Sequence, residues 1–170
     1  MSSSERRRAL IAGLAVLTLA GCGFRPMYGG DDGAQVRSEL EAIAVETPRD
    51  RLGQIMRNEL LDVLRAADSR ADPRYRLVVA LRQSSDALAI QLDSTITRYN
   101  LRLDARFELR DRKDDTLLYR NRVRRVASYN VRRAPYSTLI AEQDAERRAA
   151  VEVAKEISLL LSAYFRDRPA

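Results

Sequence analysis

Two residue types in this chain have chemistry to offer, a single cysteine and an excess of arginine. The 170 residues contain no histidine and no tryptophan. Without imidazole the usual general base and the commonest metal ligand are missing, so neither a Ser-His-Asp nor a Cys-His hydrolase can be assembled. Cys22 is the one cysteine, which excludes an internal disulfide and a cysteine-based zinc site. Of the seven glycines, all but Gly53 lie at or before Gly33. The body of the chain therefore lacks a glycine-rich loop whose bare backbone would cradle phosphates. Carboxylate groups such as Glu39 with Glu41, or Glu142 with Asp144 and Glu146, read as solvated charges rather than acid–base pairs. These observations point away from an enzyme and imply no cofactor and no metal.

Arginine offers recognition of anions instead. Thirty Lys and Arg stand against 24 Asp and Glu, and only Lys113 and Lys155 of those thirty are lysine. Between Arg98 and Arg133 there are 12 basic and five acidic residues, Asp104, Glu108, Asp111, Asp114 and Asp115. The basic character thus belongs to one segment. Guanidinium pairs two ways with phosphate or carboxylate, so Arg102, Arg106, Arg110, Arg112, Lys113, Arg120, Arg122 and Arg124 are candidate contacts for a polyanion. The competing reading is a solvated strand face in which Asp104 and Glu108 neutralise part of the field, and in which long arginine chains shield an edge.

The cysteine sits at a boundary. Arg6, Arg7 and Arg8 precede an apolar run from Ala9 to Ala20, the charge-then-hydrophobe order of a secretory signal. Its 12 residues fall short of the roughly 20 needed to span a bilayer as a helix. The run closes on Leu19-Ala20-Gly21-Cys22, which resembles the bacterial lipobox, where cleavage precedes a cysteine whose sulfur receives lipid. Lipidation at Cys22 accounts for an otherwise unpaired thiol in an oxidising compartment. The acyl chains, at about 0.8 kcal/mol for each buried CH₂, would hold the chain on a membrane surface. The expected organisation is a signal peptide over 1–21, the lipidated cysteine and a flexible tether over 22–36 around Gly29–Gly33, and one domain over 37–170.

The periodicity specifies what must position the arginines. Ala42 to Glu46 alternates as a short strand. Thr47-Pro48-Arg49-Asp50 reads as a helix start with Thr47 as N-cap, and the stripe Leu52, Ile55, Met56, Leu60, Val63, Leu64 and Ala67 continues it to a connection at Asp68–Pro73. From Tyr75 the period becomes two. Tyr75, Leu77, Val79 and Leu81 share a face, Leu88, Ile90, Leu92 and Ile96 continue the pattern, and Tyr99 to Leu109 take it up with opposite parity. That switch near Thr97 suggests a bulge or bend in one long strand. Asp111 to Asp115 is a strong turn signal before a strand over Leu117 to Ser128, so a hairpin is expected there. A helix is expected over Ser137 to Arg166. Tyr129 and Tyr136 read as packing anchors at the sheet edge. Strand, helix, strands, helix suggests an α+β two-layer sandwich, with two helices on one face of a mostly antiparallel sheet of about four strands.

Leu19-Ala20-Gly21-Cys22-Gly23-Phe24-Arg25-Pro26 with Tyr28, then Ser128-Tyr129, then Tyr136 leading into an alanine-rich helix, resembles the lipopolysaccharide-assembly lipoproteins (LptE-like). Only Cys22 matches a family residue position by position. The resemblance implies an outer-membrane lipoprotein, lipid-anchored on the periplasmic side. It would plug and assist the large β-barrel lipopolysaccharide translocon (LptD-like), without catalysis and with no nucleic-acid partner. Lipopolysaccharide is then the anion the basic hairpin would meet, and joint reversal of Arg110, Arg112 and Arg120 should weaken its binding. Two other readings stay open, an accessory lipoprotein of a lipid or solute transport system and an activator of a periplasmic cell-wall enzyme.

Overall fold

The computed structural model describes residues 31–65, 73–89, 97–131 and 135–168. The signal segment, Cys22 and the Gly29–Gly30 part of the tether lie outside the described residues. The chain divides into two compact units, Met1–Ala34 and Gln35–Ala170; the second holds the sheet. In chain order the elements are helix α1 (Asp31–Glu41), strand β1 (Ile43–Glu46), helix α2 (Arg51–Leu64), strands β2 (Tyr75–Ala89), β3 (Thr97–Asp111) and β4 (Leu117–Val131), and helix α3 (Pro135–Asp167). The sheet order is β1-β2-β3-β4, with β1 parallel to β2 and the other pairs antiparallel.

Helix α1 is a finding that periodicity did not announce, and it overlaps the stretch read as tether up to residue 36. Its apolar content is slight, but Val36 and Leu40, one turn apart, are both buried. Strand β1 then alternates as expected, with Ile43 and Val45 inward.

The start of α2 differs from the sequence reading. Asp50, not Thr47, is the N-cap: its backbone is extended and its carboxylate accepts the Gly53 N–H at 2.6 Å. A carboxylate at this place satisfies one orphan donor and faces the positive end of the helix dipole. The Pro48 carbonyl lies where a Cβ on residue 53 would be, so the close approach of this corner requires glycine. The helix ends earlier than its apolar stripe. Arg65 adopts a left-handed conformation (φ 51°) and its N–H reaches the Asp62 carbonyl at 3.2 Å; residues 66–72 lie outside the description.

The expected bulge or bend in one long strand is replaced by a chain reversal. β2 and β3 are separate strands paired antiparallel from Tyr75 with Asp111 to Ala89 with Arg98. Residues 90–96, which carry Ile90, Leu92 and Ile96, are outside the described residues. The buried positions are odd-numbered on both strands, Tyr75, Leu77 and Val79 on β2 and Leu101 to Leu109 on β3, so the even-numbered alternation that begins at Leu88 is not part of the core face described. A real irregularity does occur, but between Ala87 and Ala89, where Leu88 stands exposed. The acidic turn forms as its residues require. Asp111 Oδ1 accepts the Lys113 N–H at 2.8 Å, Asp114 Oδ1 accepts the Thr116 N–H at 3.0 Å, and Asp115 takes a positive φ of 58°, the Asx chemistry that favours such turns.

Leu101, Leu103, Ala105, Phe107 and Leu109 of β3 are all fully buried on one face. Full burial of a side chain such as Leu or Phe is worth about 1.5–3 kcal/mol, so this strand is the backbone of the core. Helix α3 lies over β3 and β4 and contributes Ala145, Ala149, Ala150, Val153, Ala154, Ile157 and Leu161, all buried. The picture of two helices packed on the sheet is corrected here. One helix, α3, packs mainly on the sheet, whereas α2 packs chiefly on α3 and meets the sheet at β1. The reason is dimensional: β1 has four residues and presents too short a platform for a 14-residue helix, so Met56, Leu60 and Leu64 close the core from the side. Tyr129 is buried and stacks on Tyr99 with ring centroids 5.7 Å apart. Tyr136 is 76% exposed and is not a packing anchor.

The candidate site, an arginine face on an open sheet

No described element covers the other face of the sheet. Side chains of even-numbered residues on β3, and on β4 from Arg120 onward, point there, because alternation sends their odd-numbered neighbours toward the core. Register then sets what meets what. Arg106 stands opposite Arg122, Asp104 opposite Arg124, and Glu108 opposite Arg120; β2 adds Arg76 and Arg82 to the same face through Arg110 and Asp104.

Most of these charges are organised as forks around two carboxylates. Arg122 and Arg124 both bind Asp104, the latter at 3.1 Å. Arg110 binds Glu108 at 2.6 Å and Arg120 binds the other Glu108 oxygen at 2.8 Å. Arg110 reaches on to Asp115 at 3.2 Å, a carboxylate it shares with Arg76. Arg102 pairs with Asp86 of β2 at 2.7 Å. Desolvation by itself would raise the Asp104 carboxyl, but hydrogen bonds and charge from Arg122 and Arg124 outweigh it and hold the group below its ordinary value. For Glu108 the hydrogen bond from Arg110 is the largest influence and lowers its pKa, with Arg120 helping; reciprocally, Arg110 is raised, first by Glu108.

The eight candidate residues therefore fall into two sets. Arg102, Arg110, Arg120, Arg122 and Arg124 are engaged in ion pairs. Arg106 sits on the same face without a carboxylate partner among the described residues, while Arg112 and Lys113 are exposed on the hairpin turn. The structure thus brings six of the eight onto one face and leaves two at its end. A shallow depression of about 780 Å³ runs across this face, lined by Val78, Ala80, Arg106, Glu108, Arg120 and Arg122. Small residues on β2 make its floor, and guanidiniums make its wall. Sequence reasoning passed over Arg76 and Arg82 as site residues, since they precede the basic segment by some twenty positions and join it only through the β2–β3 register. Arg125, one residue from Arg124, points the other way and ties β4 to α3 through Glu156 at 2.7 Å.

No helix among the described residues is long and apolar enough to cross a membrane. No group of three or more His, Cys, Asp or Glu side chains among them is placed to hold a metal ion. The described residues form an α+β domain whose sheet has one face packed by helix α3 and one face carrying arginines, most of them in ion pairs.

The family model for lipopolysaccharide assembly, LptE, matches residues 40–160, which includes every strand but none of the lipidation region. The chain belongs to the LptE lipopolysaccharide-assembly family. Among solved structures it is similar to a lipoprotein described as putative from Caulobacter crescentus CB15, at 25% identity and TM-score 0.69, covering 79% of this chain and 98% of that one. It shares the fold of a minor lipoprotein from Acinetobacter baumannii, at 20% identity and TM-score 0.55, covering 71% and 91% of the two chains. The fold is also that of the rare lipoprotein B from Shewanella oneidensis, at 11% identity and TM-score 0.51, covering 71% and 92%. No curated protein sequence matches the chain.

Proposed function

We propose that this protein is anchored by lipid on Cys22 to the periplasmic side of the outer membrane, where it plugs and assists a β-barrel lipopolysaccharide translocon. In this reading the protein performs no catalysis. The observation that carries the reading is membership of the lipopolysaccharide-assembly family over residues 40–160, and the arginine face supplies a surface of suitable charge. Lipopolysaccharide carries phosphates, and guanidinium forks match them in geometry. Contact is assigned to Arg102, Arg106, Arg110, Arg112, Lys113, Arg120, Arg122 and Arg124, with the unpaired Arg106, Arg112 and Lys113 bearing most of it. An arginine already committed to a carboxylate must give up that pair before it can serve a phosphate.

This distinction changes the best experiment. Reversing Arg110 and Arg120 would strand Glu108 between new negative charges, so a loss of binding would be confounded with local disruption. Reversal of Arg106, Arg112 and Lys113 together leaves every ion pair on the face intact. Lipopolysaccharide binding by this variant should fall at least tenfold with an unchanged unfolding midpoint, and unchanged affinity would remove the basic hairpin from the assignment. For the partner, the chain tagged after Ala170 and extracted in mild detergent should co-purify with a large outer-membrane β-barrel at one to one. Recovery of an inner-membrane transporter or a cell-wall synthase in equal amount would replace the plug reading.

A further inference from the structure

The depression on the bare face holds one carboxylate among its arginines. Arg106, Arg120 and Arg122 line it together with Glu108, and Val78 and Ala80 of β2 lie beside them. Arg122 is turned to Asp104, which is not among the lining residues. The charges that an entering anion meets first are therefore Arg106, Arg120 and Glu108. Register explains the grouping, since Arg120 stands directly opposite Glu108 and Arg122 directly opposite Arg106.

The two arginines on Glu108 are not held alike. Arg110 places Nη2 and Nε on one carboxylate oxygen at 2.6 and 3.0 Å, and its Nη1 on Asp115 at 3.2 Å. Arg120 pairs with the other Glu108 oxygen at 2.8 Å, and its side chain is 63% exposed. If Glu108 let both go, Arg110 would keep a carboxylate and Arg120 would keep none among the described residues. Glu108 is also the more accessible of the two central carboxylates, at 28% against 17% for Asp104. The Arg120–Glu108 pair is thus the one within reach of a ligand.

We propose that Glu108 is a resident competitor for the arginine site, occupying Arg120 until a phosphate monoester enters the depression and takes that guanidinium together with Arg106. Arg110 stays on Glu108 during the exchange, so the carboxylate is not stranded when Arg120 leaves it. The ligand class follows from what the exchange costs. An incoming carboxylate would replace like with like, one charge and two oxygens, while facing the released Glu108 across a short distance. A phosphate monoester brings about −1.5 to −2 charge and three acceptor oxygens. That is enough to engage the fork of Arg120 and also Arg106, which has no ion pair among the described residues. Glu108 therefore sets a threshold that selects phosphate over carboxylate. This assignment rests on the reading that the arginine face receives an anion, and it names the residue that governs which anion is accepted.

The test uses the full lipidated chain in detergent. Affinity is measured for lipopolysaccharide and, by calorimetry, for two soluble probes of similar size, glucose 1-phosphate and glucuronate. Glu108→Gln should tighten lipopolysaccharide binding at least fivefold in the native background, but less than twofold in an Arg120→Gln background, because the gain requires the freed guanidinium. The same substitution should narrow the preference for glucose 1-phosphate over glucuronate at least threefold. Glu152→Gln, which removes a carboxylate of α3 paired with Lys155, is the control for net charge and should change affinity less than twofold. Unchanged unfolding midpoints would show that each variant is folded. Overturning results are equal lipopolysaccharide affinity with and without Glu108, a gain that persists in the Arg120→Gln background, or a gain matched by Glu152→Gln. If lipopolysaccharide fails to bind the native chain while glucose 1-phosphate shows the dependence on Glu108 and Arg120, the exchange stands and the lipopolysaccharide assignment falls. If neither binds, both fall.

Discussion

Phe107 and Arg106 are adjacent in β3, yet one is fully buried under α3 and the other stands exposed on the bare face. The covered face is held by apolar area removed from water, a large and salt-independent contribution. The bare face is held by guanidinium forks on Asp104 and Glu108, and exposed ion pairs of that kind contribute little because solvent screens them. Stability therefore resides on one face of the sheet, and the opposite face is left free to evolve contacts. The sharpest way to break this comparison is to truncate both neighbours. Phe107→Ala should destabilise the domain by about 3–5 kcal/mol, whereas Arg106→Ala should stay within about 0.5 kcal/mol, both read from urea unfolding midpoints. Comparable losses would show that the bare face is load-sharing and would undo the division.

The covering layer tolerates little change in size. Ala150 is fully buried in α3, and a larger side chain there must move the helix or its neighbours. Ala150→Leu should cost about 1–3 kcal/mol through overpacking, and thermal unfolding will register it. Helix α2 contributes less, since it reaches the sheet mainly at β1. Removing its cap with Asp50→Ala deletes the 2.6 Å bond to Gly53 N–H and should cost about 1 kcal/mol, while Thr47→Ala should have a smaller effect. The reverse ranking would restore Thr47 as the start of the helix.

Much of the covered face was legible in sequence because period-two alternation over Tyr99 to Leu109 reports burial directly. The acidic turn was equally legible, since Asp111 and Asp114 carry their own hydrogen-bonding chemistry. The chain reversal after β2 was not, because apolar alternation through Leu88, Ile90 and Leu92 continues the strand pattern without turn residues. Helix α1 escaped notice for a related reason: two buried residues, Val36 and Leu40, are too few to make a stripe. Thr47 and Asp50 are both good caps by type, and the choice between them is made by the close approach of Pro48 to Gly53. On the bare face, the arginines themselves were legible as a group. Which of them are free was not, because that depends on cross-strand register: Asp104 lies opposite Arg124 and beside Arg122, and among the described residues neither Arg106 nor Arg82 has a carboxylate partner.

The smallest effect expected on stability comes from the forks themselves. Asp104 is held below its ordinary pKa because Arg122 and Arg124 overcome the desolvation that would raise it, and Glu108 is lowered chiefly by Arg110. A carboxyl whose folded-state pKa is lowered contributes stability in full above its unfolded value and loses it as pH falls through the folded value. The bare-face contribution is therefore complete at neutral pH and fades only below about pH 4, where ordinary carboxyls protonate. Asp104→Asn should then lower stability slightly at pH 7, less so at high salt, and progressively less as pH falls and the native carboxyl takes up its proton. Urea unfolding of both proteins across pH 2 to 7 gives the check, and the curves should converge at the acid end. If they stay parallel, Asp104 acts through packing or hydrogen bonding that survives protonation, and the bare face is more than a screened array of charges. Convergence would instead mean that its arginines are held in place by carboxylates at little thermodynamic cost, which is the condition for exchanging those carboxylates for the phosphates of a ligand.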